Sequence, residues 1–373
     1  MRILRGMLIV CIIISIPFFA YAKPSIDVSA HGIIMTNSYF QYLNEDLSPT
    51  GVASWQFKQE LHPFTRFNLI AKSNDVTAFI EMGVNAAGPS TRHAFISWKA
   101  SDNSSILIGH TWSILDFAFP AQQMFVSGIK GLGYGNLYGG RYLQIRYTTN
   151  LVSNMSLKLA AVQPTIGTDV TGTAVMTKAM LPKLETALNV KMGKSSLNLS
   201  GSFNSYTLVD AISGTDTMDL MLNTFAGAIF ANMNLKPVYV LLNFYGGQNL
   251  FTYGLQNTYH LAYYDGTNIN NSLGYGGFVQ IAYALSPSFK VALGGGVDYA
   301  QEPIVDAWIG VDTDSTKKDI RNQTFGFMNL TCNLTNGVSI VPEVTFAALG
   351  NEMTDVTKRG MKLFPGIFFQ YKF

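Results

Sequence analysis

The sequence predicts an all-β fold: a 16-stranded antiparallel transmembrane β-barrel with its third long connection folded inward. Three observations carry that prediction. Apolar residues reach 48% and aromatic residues 13%, while charged residues make up only 13%, about half the roughly 25% of a soluble domain. Segments of about ten residues alternate apolar and polar side chains, which a strand sends to opposite faces. Short turns and long connections alternate along the chain, as the two ends of a membrane barrel require.

The first element, residues 1–22, is a leader. Arg2 and Arg5 precede an apolar stretch from Met7 to Phe19, and Ala20-Tyr21-Ala22 supplies a small-x-small cleavage site before Lys23. This is the pattern of a secretory signal, and it falls short of the roughly 20 apolar residues of a spanning helix. Residues 23–373 then form one barrel domain. Losing two arginines leaves 23 basic against 23 acidic residues. Cys11 departs with the leader, so Cys332 has no internal disulfide partner. The 25 phenylalanines exclude a disordered chain. A net charge of +2 with no basic run excludes a nucleic-acid partner.

The strands are expected at 26–39, 65–73, 75–83, 91–99, 104–112, 141–148, 154–163, 181–191, 195–206, 222–235, 238–248, 273–283, 289–300, 319–334, 338–348 and 361–373. The last is the clearest: Ile367, Phe369, Tyr371 and Phe373 share one face, and Phe368, Gln370 and Lys372 the other. Leu197, Leu199, Gly201 and Phe203 oppose Asn198, Ser200, Ser202 and Asn204 in the same way. A soluble sandwich would also alternate. Here the polar faces are rich in Asn, Ser, Gly and Gln with few charges, as a watery lumen would be, and the apolar faces often end in Tyr or Phe, as interface girdles do.

Tight turns are expected at Ser73-Asn74, Ser101-Asp102-Asn103, Gly193-Lys194, Lys236-Pro237, Ser286-Pro287-Ser288 and Thr335-Asn336-Gly337. Longer stretches lie near 40–64, 84–90, 113–140, 164–180, 207–221, 249–272, 301–318 and 349–360. Both termini then fall at the short-turn end. The sheet must close, because an open edge in lipid leaves backbone groups unpaired. The 113–140 connection is unusually apolar, with Phe117, Phe119 and Phe125. Tucking against the barrel wall explains that composition, and packing on a neighbouring subunit is the alternative.

The alternation of Ile367, Phe369 and Tyr371 up to a terminal Phe373 resembles the signal that the barrel-assembly machinery reads in outer-membrane barrels. Leader, strand count, long third loop and terminal Phe together resemble the general porins of Gram-negative bacteria. Arg92-His93-Ala94-Phe95, followed by Gly109-His110-Thr111-Trp112-Ser113, is similar to the paired strands of the DcaP-like porins. The resemblance implies a homotrimer embedded in outer-membrane lipid, passing small hydrophilic solutes through a water-filled pore.

On that reading the expected pore-lining and constriction residues are Arg66, Glu81, Arg92, His110, Asp116, Lys130, Arg141, Arg146, Lys158 and Glu185. Opposed charges across a narrow pore create a transverse field. The clustering of Arg66, Arg92, Arg141 and Arg146 in the early half points to a weak anion preference. Arg92 is ambiguous, because strict alternation puts it with Ala94, Ile96 and Trp98 and opposite His93, Ser97 and Lys99.

No cofactor, metal or catalytic constellation is expected. The five histidines, at 31, 62, 93, 110 and 260, show no i, i+4 pair, and Asp312-x-Asp314 is at most half of a calcium loop. Two rival classes are an adhesin or receptor acting through its long extracellular loops, and a rim hydrolase built around His260 and Asp265.

Overall fold

A computed structural model describes residues 25–44, 51–85, 88–115, 119–123, 132–137, 139–165, 176–213, 216–253, 255, 262–264, 269–300, 321–334, 337–349 and 360–373. The leader, Asp116, Phe117, Phe125, Lys130, His260, Asp265 and the 312–318 segment lie outside the described residues.

Sixteen antiparallel strands form the barrel. They are β1 (Asp27–Leu43), β2 in two pieces (Ser54–Leu61 and Arg66–Ser73), β3 (Val76–Asn85), β4 (Gly88–Lys99), β5 (Ser104–Trp112), β6 (Arg141–Val152), β7 (Met155–Val162) and β8 in two pieces (Met176–Lys178 and Lys183–Met192). They continue as β9 (Ser195–Ser213), β10 (Asp216–Leu235), β11 (Val238–Gln248), β12 (Leu273–Ala284), β13 (Phe289–Ala300), β14 (Arg321–Asn333), β15 (Val338–Leu349) and β16 (Gly360–Lys372). Each pairs with its sequence neighbour, and β1 pairs with β16, so the sheet has no free edge. The seam ends where Phe373 and Gly32 exchange backbone hydrogen bonds of 3.0 and 3.1 Å.

Burial is inverted relative to a soluble protein. Ile80, Ile108, Leu143, Ile145, Phe244, Leu293, Met328 and Phe369 project outward and are exposed, whereas Asn37, Glu81, Asn198, Asn243, Gln280, Asn329 and Thr345 are buried inside. Direct cross-strand partners share a face, so each register fixes which rows are outer and which inner.

Several stretches expected as connections are strand in part, Met176–Lys178 and the short Tyr263–Tyr264/Ile269–Asn270 pair among them. Residues 54–61 pair with the upper half of β1. The 84–90 region is a hairpin joining Asn85 to Gly88. Most of 207–221 belongs to β9 and β10, which run 19 and 20 residues, well beyond the roughly 9–11 needed to span a bilayer. Strands of that length extend past the hydrocarbon core. Tyr206, Leu208, Leu220 and Leu222 pack there with Ala262.

Candidate functional site

The connection between β5 and β6 enters the barrel and is held at three stations. At its root, the buried Glu185 carboxylate accepts hydrogen bonds from Ser113 Oγ (2.7 and 2.8 Å) and from the Ile114 N–H (2.9 Å). Glu185 also pairs with the fully buried Lys183 ammonium at 3.1 Å, which lies 4.2 Å from the centre of the Tyr142 ring.

The second station is across the lumen. The Ala121 N–H donates to Gln280 Oε1 (2.6 Å), and the Gln123 N–H to Glu343 Oε2 (2.7 Å). Asn329 Nδ2 bridges the Ala121 carbonyl and Glu343 (2.8 and 2.9 Å). His62 fits its neutral Nε2–H tautomer, donating to the Gln123 carbonyl at 3.1 Å while its Nδ1 accepts from the Phe64 N–H.

The third station is a knuckle at Tyr134-Gly135. Gly135 has φ +96°, and a Cβ there would collide with the Gly277 carbonyl; one on Gly296 would strike the Tyr134 carbonyl. The Gly277 carbonyl of β12 and Gly296 on the inner wall of β13 therefore form a socket for the loop. Asn243 Nδ2 donates to Asn136 Oδ1 at 2.8 Å, and the Tyr245 hydroxyl donates to Asp298 at 2.6 Å.

With the loop held against β11–β15, a recess of about 260 Å³ remains on the opposite wall. It is lined by Arg66, Glu81, Arg92, His93, Trp112, Phe119, Gln123 and Lys372, among others. Glu81 is its hub, 3.1 Å from Arg66 Nε and 2.7 Å from Arg92 Nε. A β-bulge explains Arg92: Glu81 pairs with His93 and Met82 with Thr91, so Arg92 is the extra residue. Both Arg92 and His93 consequently turn inward. Gly83 makes room, since a Cβ there would lie 2.8 Å from Arg92 Cδ. His93 Nδ1 is 2.8 Å from Thr111 Oγ1.

Of the residues expected to line a pore, Arg66, Glu81 and Arg92 meet in this recess. Arg141 stacks over Trp112, 3.5 Å from the ring centre, and Arg146 donates to the Trp112 carbonyl and to Gln144. Lys158 lies on the inner row with Ala160 and Val162, one row from the strand's exposed Leu159. Two expectations shift. Glu185 is 3% exposed and anchors the loop root rather than facing open water. His110 pairs with Ala94 and Leu143 in the outer row of Ile108, away from the recess. Asp116 and Lys130 lie outside the described residues. Lys183, Gln280, Asn243 and the glycine socket do not stand out in the sequence; a run such as Gly294-Gly295-Gly296 in a strand, which normally marks close backbone approach, is the available signal.

No protein-family model and no curated protein matches the chain. Solved structures do. The outer membrane channel DcaP of Acinetobacter baumannii is 16% identical with a TM-score of 0.73, over 94% of this chain and 99% of that one. An anion-selective porin from Comamonas acidovorans is 12% identical with a TM-score of 0.60, over 94% and 100%. Outer-membrane expressed OmpT of Vibrio cholerae is 12% identical with a TM-score of 0.58, over 95% and 99%. The chain thus has the sixteen-stranded barrel fold of the bacterial porins.

Proposed function

We propose that this chain is an outer-membrane porin, a water-filled channel for passive diffusion of small hydrophilic solutes with a preference for anions. The observation that carries the reading is the inverted burial of a closed barrel, apolar outside and polar within. A sheet of sixteen strands encloses more space than its own side chains fill. The inward loop then narrows the lumen to one charged side. Passage of this kind makes and breaks no covalent bond, so we read the protein as a channel rather than an enzyme.

The anion preference is supported by the state of the inner acids. Glu60 accepts from Tyr39, Glu81 is flanked by Arg66 and Arg92, Glu185 by Lys183, Asp298 by Tyr245, and Glu343 by Asn329, Thr345 and the Gln123 N–H. Carboxylates so occupied hold little attraction for passing cations.

A homotrimer is supported by a polar pair on the outer wall. Gln59 Nε2 donates to Ser38 Oγ at 3.3 Å, on the outward rows of β1 and β2 beside exposed Phe40 and Phe57. Contact with a second copy would remove that pair from lipid. The seam at Phe373 supports a role for the terminal residue in barrel assembly. The deciding experiment is planar-bilayer recording on purified, heat-modifiable protein. Discrete, stable conductance steps are expected; folded protein that passes no current would refute the channel.

A further inference from the structure

Resting on that reading, we infer that His62 is a positioning residue that holds the inward loop only while its ring is uncharged, so that acid loosens the constriction. His62 follows the first piece of β2, and its backbone is pinned to the wall. Its N–H donates to the Met35 carbonyl at 2.9 Å, and its carbonyl accepts from the Thr65 N–H at 2.8 Å. What the ring does is then decided by its two nitrogens. Nε2 lies 3.1 Å from the Gln123 carbonyl, which can only accept, and Nδ1 lies 3.1 Å from the Phe64 N–H, which can only donate. Both bonds exist together only in the neutral Nε2–H form. A proton on Nδ1 sets one N–H against another in a site that is 0% exposed and flanked by the rings of Phe64 and Phe368.

The charged groups on the elements around the ring are Glu60 and Arg66 on β2, Glu81 on β3, Arg92 on β4, Glu343 on β15 and Lys372 on β16. Arg66 donates to the Phe64 carbonyl at 2.9 Å, and the Arg92 guanidinium lies 5.0 Å from the centre of the Phe64 ring. Both oppose a further positive charge at this corner. The acids are engaged by other groups: Glu60 accepts from Tyr39, Glu81 from Arg92, with Arg66 at 3.1 Å, and Glu343 from Asn329, Thr345 and the Gln123 N–H.

The latch acts directly on the recess. Gln123 and Phe119 both line it, and Phe119 meets Trp112 edge-on with ring centres 6.0 Å apart. Release of the Gln123 carbonyl therefore shifts the wall past which solutes move. An imidazole in water takes up its proton near about pH 6.5. The docked loop holds the neutral ring, so its stability is present above that pH and is lost as pH falls below it. Between pH 7.5 and pH 5 the ratio of docked to released loop falls by up to about 30-fold. Ordinary glutamates titrate near about 4.3, so pH 5 separates the imidazole from the Glu343 bond to the same segment.

The test is single-channel recording at pH 7.5 and pH 5 in symmetric 1 M salt, which screens changes in exposed charge, on wild type and His62→Gln. The carboxamide keeps a neutral donor and a neutral acceptor but takes up no proton. Wild type should switch between conductance levels up to about 30-fold more often at pH 5, reversibly, and His62→Gln should show the same switching at both values. Wild type without an acid response overturns the inference, as does an acid response that survives in His62→Gln. Should the variant not assemble, amide hydrogen exchange on wild type decides, with the Ser113–Leu115 root as internal reference. Loss of protection at 121–123 and at Phe64 in acid, relative to that root, supports the latch, and protection unchanged relative to the root refutes it. Wild type that passes no current at either pH removes the channel reading, and the exchange measurement then judges the latch by itself.

Discussion

Arg92 Nε lies 2.7 Å from the Glu81 carboxylate because a β-bulge spends one extra residue of β4 against β3. In a regular ladder without the bulge, strict alternation would send Arg92 out into lipid, where an arginine at mid-depth costs about 2–4 kcal/mol. The bulge gives the recess a second guanidinium, and Glu81 holds both in place.

Removing the hub should therefore expose them. Glu81→Gln keeps the side chain's size and leaves Arg66 and Arg92 without a counter-charge, so reversal potentials should move further toward anions. Gly83→Ala should act on the same pair by a steric route. Its Cβ needs Arg92 to shift, and the expected reading is altered conductance with unchanged barrel stability. An unchanged current in both variants would show that the recess lies off the path of ions.

The outer rows were legible in the sequence because hydrocarbon selects apolar side chains: Ile367, Phe369 and Tyr371 could be assigned by counting in twos, and all three are exposed. The bulge was not, since an inserted residue is invisible to a period of two until the pairing is known. The upper halves of β9 and β10 were missed for another reason: runs such as Thr207-Leu208-Val209-Asp210 do not alternate strictly. Among the site residues, Arg66 and Glu81 could be read as inward charges. That Glu185 binds the loop root could not, because its partners Ser113 and Ile114 are 72 and 71 residues away.

Glycines on the two sides of the wall should behave differently. Gly135→Ala and Gly296→Ala place a methyl against backbone in the socket, so the loop must lift. Larger unitary conductance and noisier open-channel current are expected, with the barrel still assembled. Gly227→Ala faces outward, and the nearest atoms to its Cβ are about 4.0 Å away. It should match wild type in assembly and current. Equal effects at all three positions would argue that backbone freedom, not loop docking, explains the glycines.

The loop root should also govern stability. Glu185→Ala leaves the Lys183 ammonium buried without its partner and removes the acceptor for Ser113 and Ile114. Losing one member of a buried pair costs about 3–5 kcal/mol. The midpoint of heat-induced loss of the compact band should fall clearly below wild type. The double variant Lys183→Met/Glu185→Gln should recover much of the loss, because the uncompensated charge is gone while an acceptor for Ser113 remains. Failure to recover would show that the ionised carboxylate itself, rather than the pairing, holds the loop.

The polar pair on the outer wall offers a separate test of assembly. Ser38 and Gln59 hydrogen-bond across outward rows that are otherwise flanked by Phe40, Phe57 and Leu61. Facing lipid, that pair should be replaceable by apolar residues with a gain in stability. Buried between copies, it should not be. Ser38→Ala/Gln59→Leu is therefore expected to weaken the oligomer, read as a shift from trimer to monomer on mild-detergent gels, while each barrel keeps its heat-modifiable form and its conductance. A double variant that stays trimeric and melts at a higher temperature would place this face against lipid and require the subunit contact to lie elsewhere on the wall.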